Sequence, residues 1–415
     1  MKKSLLPILM LITLSSQSLI AQHERCGTMQ HHEYLKTVDP DYEARQNTID
    51  QLILNSMEND PSWKTTNIVT IPVVFHIVYS TNNTTQNISN ARIQAQLNVL
   101  NNDYAATNAD TNLIPTIFKS LKSNTGIQFC LAQRDPQGNP TDGIIRKQTT
   151  VTSFSTNNGI KYDAQGGSNA WPRDQYLNIW VGNLGSGLLG YAQFPGGAAA
   201  TDGVVLLNGS VGGPGALGTT SAYNRGRTAT HEIGHWLNLR HIWGDATCGN
   251  DFVSDTPLHN TANYGCPAAP TLATSCSGSP PMMTMNYMDY TNDACMYMFT
   301  IGQGTRMNTC LTSTRAALAS SLGCVPVGLS EPQDIGIFIY PNPTDGVLHI
   351  DNLNNYGESA DVRIINSVGQ IAASYKIADF SGTNSIDLSQ LKNGIYMVEI
   401  SSDRKMAVER IVLNK

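Results

Sequence analysis

The chain has 415 residues, a length that suits two or three domains. Charged residues are only 14% of it, the net charge is −6 and the pI is about 5.8, so no basic stripe is available for nucleic acid. Low charge with abundant Ser, Thr, Asn and Gly fits a secreted protein rich in strands and loops.

Residues 1–21 (MKKSLLPILMLITLSSQSLIA) place Lys2 and Lys3 before an apolar run and end on Ala21. That order predicts a secretory signal peptide rather than a membrane span. No later stretch reaches the ~18 apolar residues of a spanning helix, so no transmembrane segment is expected. Cys26 lies off the cleavage point, which argues against a lipid anchor. Export makes disulfides permissible for the eight cysteines, four of which fall between 248 and 295.

Residues 22–65 are polar and mixed, with a helix predicted over 42–56 and the group Arg25-Cys26-Gly27-Thr28 ahead of it. A thiolate is a good zinc ligand. The β-branched and aromatic run 68–79 predicts a buried central strand, with His76 as a core residue. A helical pattern follows at 90–104 (Ile93, Leu97, Leu100). Short strands are predicted at 127–131, 177–184, 188–194 and 204–207. A glycine-rich loop at 212–218 then leads to a further helix. Strands alternating with helices predict an α/β (α+β) domain with a mixed sheet.

The next stretch, HEIGHWLNLRH (231–241), carries the chemistry. Positions i and i+4 share a helix face, so His231 and His235 can hold one ion, with Glu232 beside them as a base for water. His241 cannot lie on the same straight helix, because ten residues at ~1.5 Å each carry it ~15 Å away. The chain must therefore stop being helical and double back. Asn238 is the residue suited to do it, since Asn tolerates the left-handed backbone that ends helices. Three histidines and one open position describe a catalytic rather than a structural zinc site.

Residues 245–283 are irregular and hold Asp245, Asp251, Asp255, Cys248, Cys266 and Cys276. Disulfides and a bound cation would substitute there for missing apolar packing. Residues 284–290 (TMNYMDY) offer Met288 as soft apolar filling and Tyr290 as a phenolic donor. A helical pattern covers 303–322. Beyond a Pro- and Gly-containing linker at 325–336, residues 337–415 read as a small all-β sandwich with turn signals at 341–346 and 391–394.

HEIGHWLNLRH together with TMNYMDY resembles the pappalysin-type metzincin metalloproteases, in their bacterial secreted branch, over roughly residues 22–324. Asn238 stands where that family has glycine. The resemblance implies zinc on His231, His235 and His241, Glu232 as general base, Met288 beneath the metal and Tyr290 near the reacting carbonyl. It implies that Cys26 ligates zinc in a latent form, with residues 22–65 as propeptide and 66–324 as catalytic domain. It also implies disulfides Cys248–Cys276 and Cys266–Cys295, and calcium near Asp251 and Asp255. Cys130, Cys310 and Cys324 then remain, and the sequence leaves open which of them pair. An acid at Asp293, just past Met288, would favour Arg or Lys after the scissile bond.

YPNPTDGVLHI (340–350), SVGQ (367–370) and LKNGIYMVEI (391–400) resemble the sorting domain of the type IX secretion system of Bacteroidetes. That implies residues 337–415 as a partner of the secretion machinery. The expectation is a secreted or surface-held zinc endopeptidase acting on peptides. Two rivals stand beside it: a zinc peptidase with an acidic third ligand at Asp251 or Asp255, and a non-catalytic surface protein with a structural zinc.

Overall fold

Val69–Ser80 is the strand (β1) against which the first unit is laid down. Nine of its twelve side chains are buried, because the sheet is covered on both faces, and this is why the run reads as continuously apolar. The computed structural model describes residues 25–59, 68–185, 187–267, 276, 281–327, 337–351, 353, 359–366, 369–378, 380, 383–402 and 406–415. The signal-peptide stretch 1–21 and linker residues 328–336 lie outside the described residues. The chain divides into two units, Met1–Pro326 and Val327–Lys415.

In the first unit, helices α1 (Thr28–Val38) and α2 (Tyr42–Asn59) precede β1, and α3 (Asn90–Tyr104) follows it. Next come β2 (Ile127–Leu131), β3 (Ile144–Thr149), β4 (Leu177–Gly182), β5 (Gly190–Ala192) and β6 (Val204–Leu207). Helices α4 (Arg227–Trp236) and α5 (Ile301–Ser313) complete it. The six strands form one sheet in the order β2-β1-β4-β6-β5, with β3 also paired to β1. Every pairing is parallel except β5 with β6, so β5 is an antiparallel edge.

Ile71, Val73, Phe75 and Ile77 point to one face of β1, where they share a core with Ile93, Leu97 and Leu100 of α3 and Ile233 of α4. Val74 and Val78 point to the other face, with Tyr176 and Trp180. His76 belongs to that second face. Its imidazole is buried, bonds Ser168 Oγ at 2.9 Å and Asn178 Oδ1 at 3.0 Å, and stacks on Trp180. The helical pattern at 303–322 resolves into α5 and two short 3-10 turns, at Ala316–Ser320 and Leu322–Cys324. Neither α1 nor β3 was expected from the sequence. The described residues between 245 and 283 hold no helix or strand.

The second unit holds β7 (Phe338–Tyr340), β8 (Val347–Asp351), β9 (Ala360–Asn366), β10 (Ile371–Ile377), β11 (Asn384–Asp387), β12 (Gly394–Ser401) and β13 (Met406–Leu413). They pair antiparallel in two sheets, β10-β9-β12-β13 and β11-β8-β7. Leu348, Ile350 and Ile386 of one sheet meet Val362, Ile364, Val398, Ile400 and Ile411 of the other in a common core, the pattern of a sandwich.

Cys130 at the end of β2 is bonded to Cys324, 194 residues away, and Cys310 is a buried free thiol. That bond ties the close of the first unit back to its central sheet. A crosslink closing so long a loop restricts the unfolded chain strongly. Replacing Cys130 and Cys324 together by Ser is therefore expected to cost about 2–5 kcal/mol. A urea melt would read this as a lower midpoint for the first unit, and an unchanged midpoint would refute it.

Candidate active site

Helix α4 carries residues 227–236, and all ten are buried. Its amino end is anchored by Asp293, whose Oδ2 accepts from the backbone N–H groups of Arg225 (2.8 Å) and Arg227 (3.3 Å). A carboxylate is favoured there by the helix dipole. The Arg227 side chain is held by Asp103 (3.1 Å) and Asp110 (2.9 Å), which fixes the helix about its axis. At the other end Asn238 adopts φ +74°, and Leu239 N donates back to Gly234 O at 2.9 Å. Arg306, fully buried on α5, donates through Nε to Asn238 O at 2.8 Å and through Nη2 to Asn238 Oδ1. The helix thus stops and the chain returns, bringing His241 alongside His235.

His235 Nε2 lies 3.1 Å from the Nε2 atoms of both His231 and His241. Each opposite ring nitrogen donates elsewhere. His231 Nδ1 bonds Tyr287 O (2.7 Å), His235 Nδ1 bonds Leu239 O (2.8 Å) and His241 Nδ1 bonds Asp245 Oδ1 (2.5 Å). Those acceptors take the Nδ1 protons, so in the neutral imidazoles three Nε2 lone pairs face one another in a buried space. Such an arrangement is repulsive unless a cation sits among them. Tetrahedral zinc with bonds of ~2.0–2.1 Å separates its ligands by about 3.3 Å, so the donor set fits that ion. Burial, then the neighbouring imidazoles, hold His231 and His235 well below the usual imidazole range. Low proton affinity leaves these nitrogens free to ligate.

Cys26 Sγ is the fourth member of this group, all of whose ligand atoms lie within 4.8 Å of one another. Its thiol points to Glu232 Oε2 at 3.4 Å, and Thr28 Oγ1 donates to the same oxygen at 2.9 Å. Glu232 Oε1 is buried without a partner. Burial pushes the Glu232 carboxyl up to about 8, against the opposing pull of Thr28, Cys26 and Arg25. Burial and then the Glu232 charge push the Cys26 thiol well up in the protein alone. A cation at the histidines would reverse the sign for the thiol.

The segment around Cys26 runs along the free edge of β5. Gly27 N donates to Gly190 O (2.8 Å), Leu189 N donates to Arg25 O (3.1 Å) and Ala192 N donates to Thr28 Oγ1 (2.9 Å). The bridge between Cys26 and Gly190 is parallel. Gly190 leaves no room for a side chain, since a Cβ there would lie 2.9 Å from Val205 O and 3.0 Å from Glu232 Cγ. The Arg25 guanidinium enters a pocket where it bonds Thr291 O, lies 3.6 Å from Asp293 Oδ1 and covers the Tyr223 ring. Asp293 thus anchors α4 with one oxygen and faces Arg25 with the other.

Met288 packs against α4 at Gly234, where a Cβ would come within 2.6 Å of its Sδ. Tyr290 is buried and packs on His231, His241 and Trp243, while its hydroxyl reaches Cys26 O at 3.4 Å. Asp251 and Asp255 are not brought to the histidines. Asp251 accepts from Thr256 Oγ1 and Val253 N, and Asp255 accepts from Thr300 Oγ1 (2.6 Å) and Gly302 N (2.8 Å) at the start of α5. Cys248 is bonded to Cys276 and Cys266 to Cys295. Sequence reasoning missed Thr28, Asp245 and Arg306. Asp245 had a signal, a carboxylate four residues after a ligand histidine. Arg306 had none.

The chain is similar to known proteins over both of its units. The family model described as pregnancy-associated plasma protein-A, a peptidase family, matches residues 161–312, and a secretion system C-terminal sorting domain matches 338–414. An extracellular metalloprotease of Colletotrichum graminicola is 34% identical over 258 residues, 60% of this chain and 79% of that protein. A promirolysin mutant from Tannerella forsythia is similar in structure, with a TM-score of 0.62 and 42% identity over 71% of this chain and 97% of that one. Mature mirolysin from the same organism, in complex with a cleaved peptide, gives 0.58 and 47% over 62% and 96%.

The turn at Asn238 is open to a direct test. Asn238→Ala forces a less tolerant residue into the left-handed region, at about 1–2 kcal/mol, and removes the Oδ1 contact with Arg306. Asn238→Gly keeps the backbone and loses only the contact. Thermal unfolding with metal analysis should rank wild type above Gly and Gly above Ala in both stability and retained zinc. An alanine variant equal to wild type in both would show that the turn does not depend on this residue.

Proposed function

Because the chain belongs to the extracellular metalloproteases related to pregnancy-associated plasma protein-A, we propose that it is a secreted zinc endopeptidase kept latent by its own N-terminal segment. The observation that carries this reading is the convergence of three imidazole Nε2 atoms beside a buried carboxylate. His231, His235 and His241 would hold the ion. Zinc, when bound, supplies a Lewis acid that polarises a peptide carbonyl and makes water acidic near neutral pH.

Glu232 takes the proton of the attacking water and returns it to the leaving amine. Its buried setting keeps its proton affinity high, which suits a group that must both accept and donate. Tyr290 donates to the carbonyl oxygen as negative charge develops there. Support for that role is its hydroxyl contact with Cys26 O, a peptide carbonyl held at the site. Met288 and the Asn238 turn keep the imidazoles in place.

Latency rests on residues 22–65. Cys26 stands at the fourth position beside the histidines, and the flanking backbone fills the edge of β5 that an extended substrate would use. Arg25 fills a pocket with Asp293 at its end, which supports a preference for Arg or Lys after the scissile bond. Asp251 and Asp255 anchor their loop through protein donors, so calcium is not needed to explain them. Residues 337–415 direct export through type IX secretion machinery, which agrees with the sorting-domain match. Among the described residues no helix is long and apolar enough to cross a membrane.

Cleavage-site profiling of activated protein on a complex peptide mixture tests the whole reading. Cuts before Arg or Lys are expected, lost to chelator and restored by zinc. Glu232→Ala should lower the rate at least ~100-fold while zinc stays bound. Retention of zinc and full rate by His241→Ala would favour an acidic third ligand instead.

Cys26→Ala tests latency separately. The variant should be active and processed during expression, without added protease. A full-length variant as silent as its parent would rule out the thiol latch.

A further inference from the structure

Asp50, on α2, is held by two arginines that lie outside the proposed prosegment. Its Oδ1 accepts from Arg306 Nη2 at 2.9 Å and its Oδ2 from Arg240 Nη2 at 2.8 Å. Among the described residues it is the ion-pair partner of both. Arg306 is fully buried and its Nη1 has no partner, and Arg240 Nε is likewise buried and unpartnered. The nearby acids are committed elsewhere. Asp202 pairs with Arg315 at 2.7 Å, and Asp251 is bonded by Thr256 and Val253. Removal of α2 would leave two guanidinium groups, one of them fully buried, without their anion. An unpaired buried charge is strongly unfavourable.

The pair lies beside the cleft. The Arg240 guanidinium covers the Phe194 ring at 4.5 Å, and Phe194 meets the His235 imidazole edge-on at 5.5 Å. One aromatic ring therefore separates Arg240 from a proposed metal ligand. Phe194 also continues the line of β5. The N-terminal segment traces that line, with Arg25 at Leu189, Gly27 at Gly190, Thr28 at Ala192 and His32 against Phe194. The Asp293 pocket is at the Leu189 end and the arginine pair at the Phe194 end, with Glu232 between them.

We infer that Arg240 and Arg306, once freed from Asp50, form a subsite for an Asp or Glu side chain of the substrate. The inference rests on the proteolytic reading and on departure of the N-terminal segment. A residue that follows the scissile bond enters the Asp293 pocket. The acidic residue then precedes the bond, and the substrate runs along β5 in the direction opposite to residues 25–28. Two arginines bonding the two oxygens of one carboxylate give charge-assisted bonds on a planar acceptor, which an amide of the same shape does not replace.

The test compares matched peptides on the activated protein, each with Arg after the scissile bond. Glu or Gln is placed in turn at each of the four preceding positions. At one of them wild type should cleave the Glu peptide with a kcat/KM roughly tenfold above the Gln peptide. The ratio should shrink as salt is raised, a readout that needs no variant. Arg240→Gln should bring it close to one, and Arg240→Lys should restore part of it. Equal cleavage of both peptides by wild type at every position overturns the subsite and leaves the protease reading standing. A ratio unchanged in Arg240→Gln also overturns it. Cleavage of neither peptide by wild type overturns both readings together.

Discussion

Three imidazole lone pairs brought to one point, with nothing of their own to neutralise them, is the constraint on which the first unit depends. A regular helix supplies only two of them. The third requires the chain to leave the helix and reverse within six residues, and the left-handed Asn238 provides that reversal. Arg306 holds the turn from α5, and Asp245, Leu239 O and Tyr287 O aim the rings. Met288 fills the space under Gly234, so a larger residue at that point of the helix would clash with it. The central sheet and its two cores give this assembly a rigid back.

The N-terminal segment is arranged as a counterpart to each part of that site. It supplies a strand for the β5 edge, a thiol for the histidines, a hydroxyl for Glu232, a guanidinium for Asp293 and a carboxylate for Arg240 and Arg306. No single contact is large. Their sum holds because the polar groups on both sides are buried and would be costly to leave unmatched. The parallel run along β5 places Arg25 before Cys26, the reverse of the order proposed for a substrate. In the proposed reading, the segment would fill the cleft without presenting a peptide bond in the productive sense.

Much of this was legible in the sequence because it is local. The spacing in HEIGHWLNLRH by itself required the turn, and the strands at 127–131 and 204–207 coincide with β2 and β6. The apolar run of β1 declared a strand covered on both faces. Helix α1 was illegible because its buried side is Thr28, His31, His32 and Leu35, which gives no apolar period. In strand β3 (IIRKQT) five of the six residues are half-exposed or exposed and two are cations, so neither alternation nor hydrophobicity marks it. Partners far apart in the chain were out of reach. Arg306 is 68 residues from Asn238 and 256 from Asp50, and Cys324 is 194 from Cys130. Nothing in the local pattern of either partner names the other.

The bare backbone at Gly190 has a consequence for what can lie in the cleft. With no side chain where the edge strand begins, the wall beside Glu232 reads main chain alone. Its carbonyl takes the N–H of Gly27, and an imino nitrogen there would have no hydrogen to give. A peptide whose bonding residue at this point is proline would leave that carbonyl unanswered in a closed space. Under the proposed protease reading such a filter would act on backbone chemistry, ahead of the charged side chains on either side.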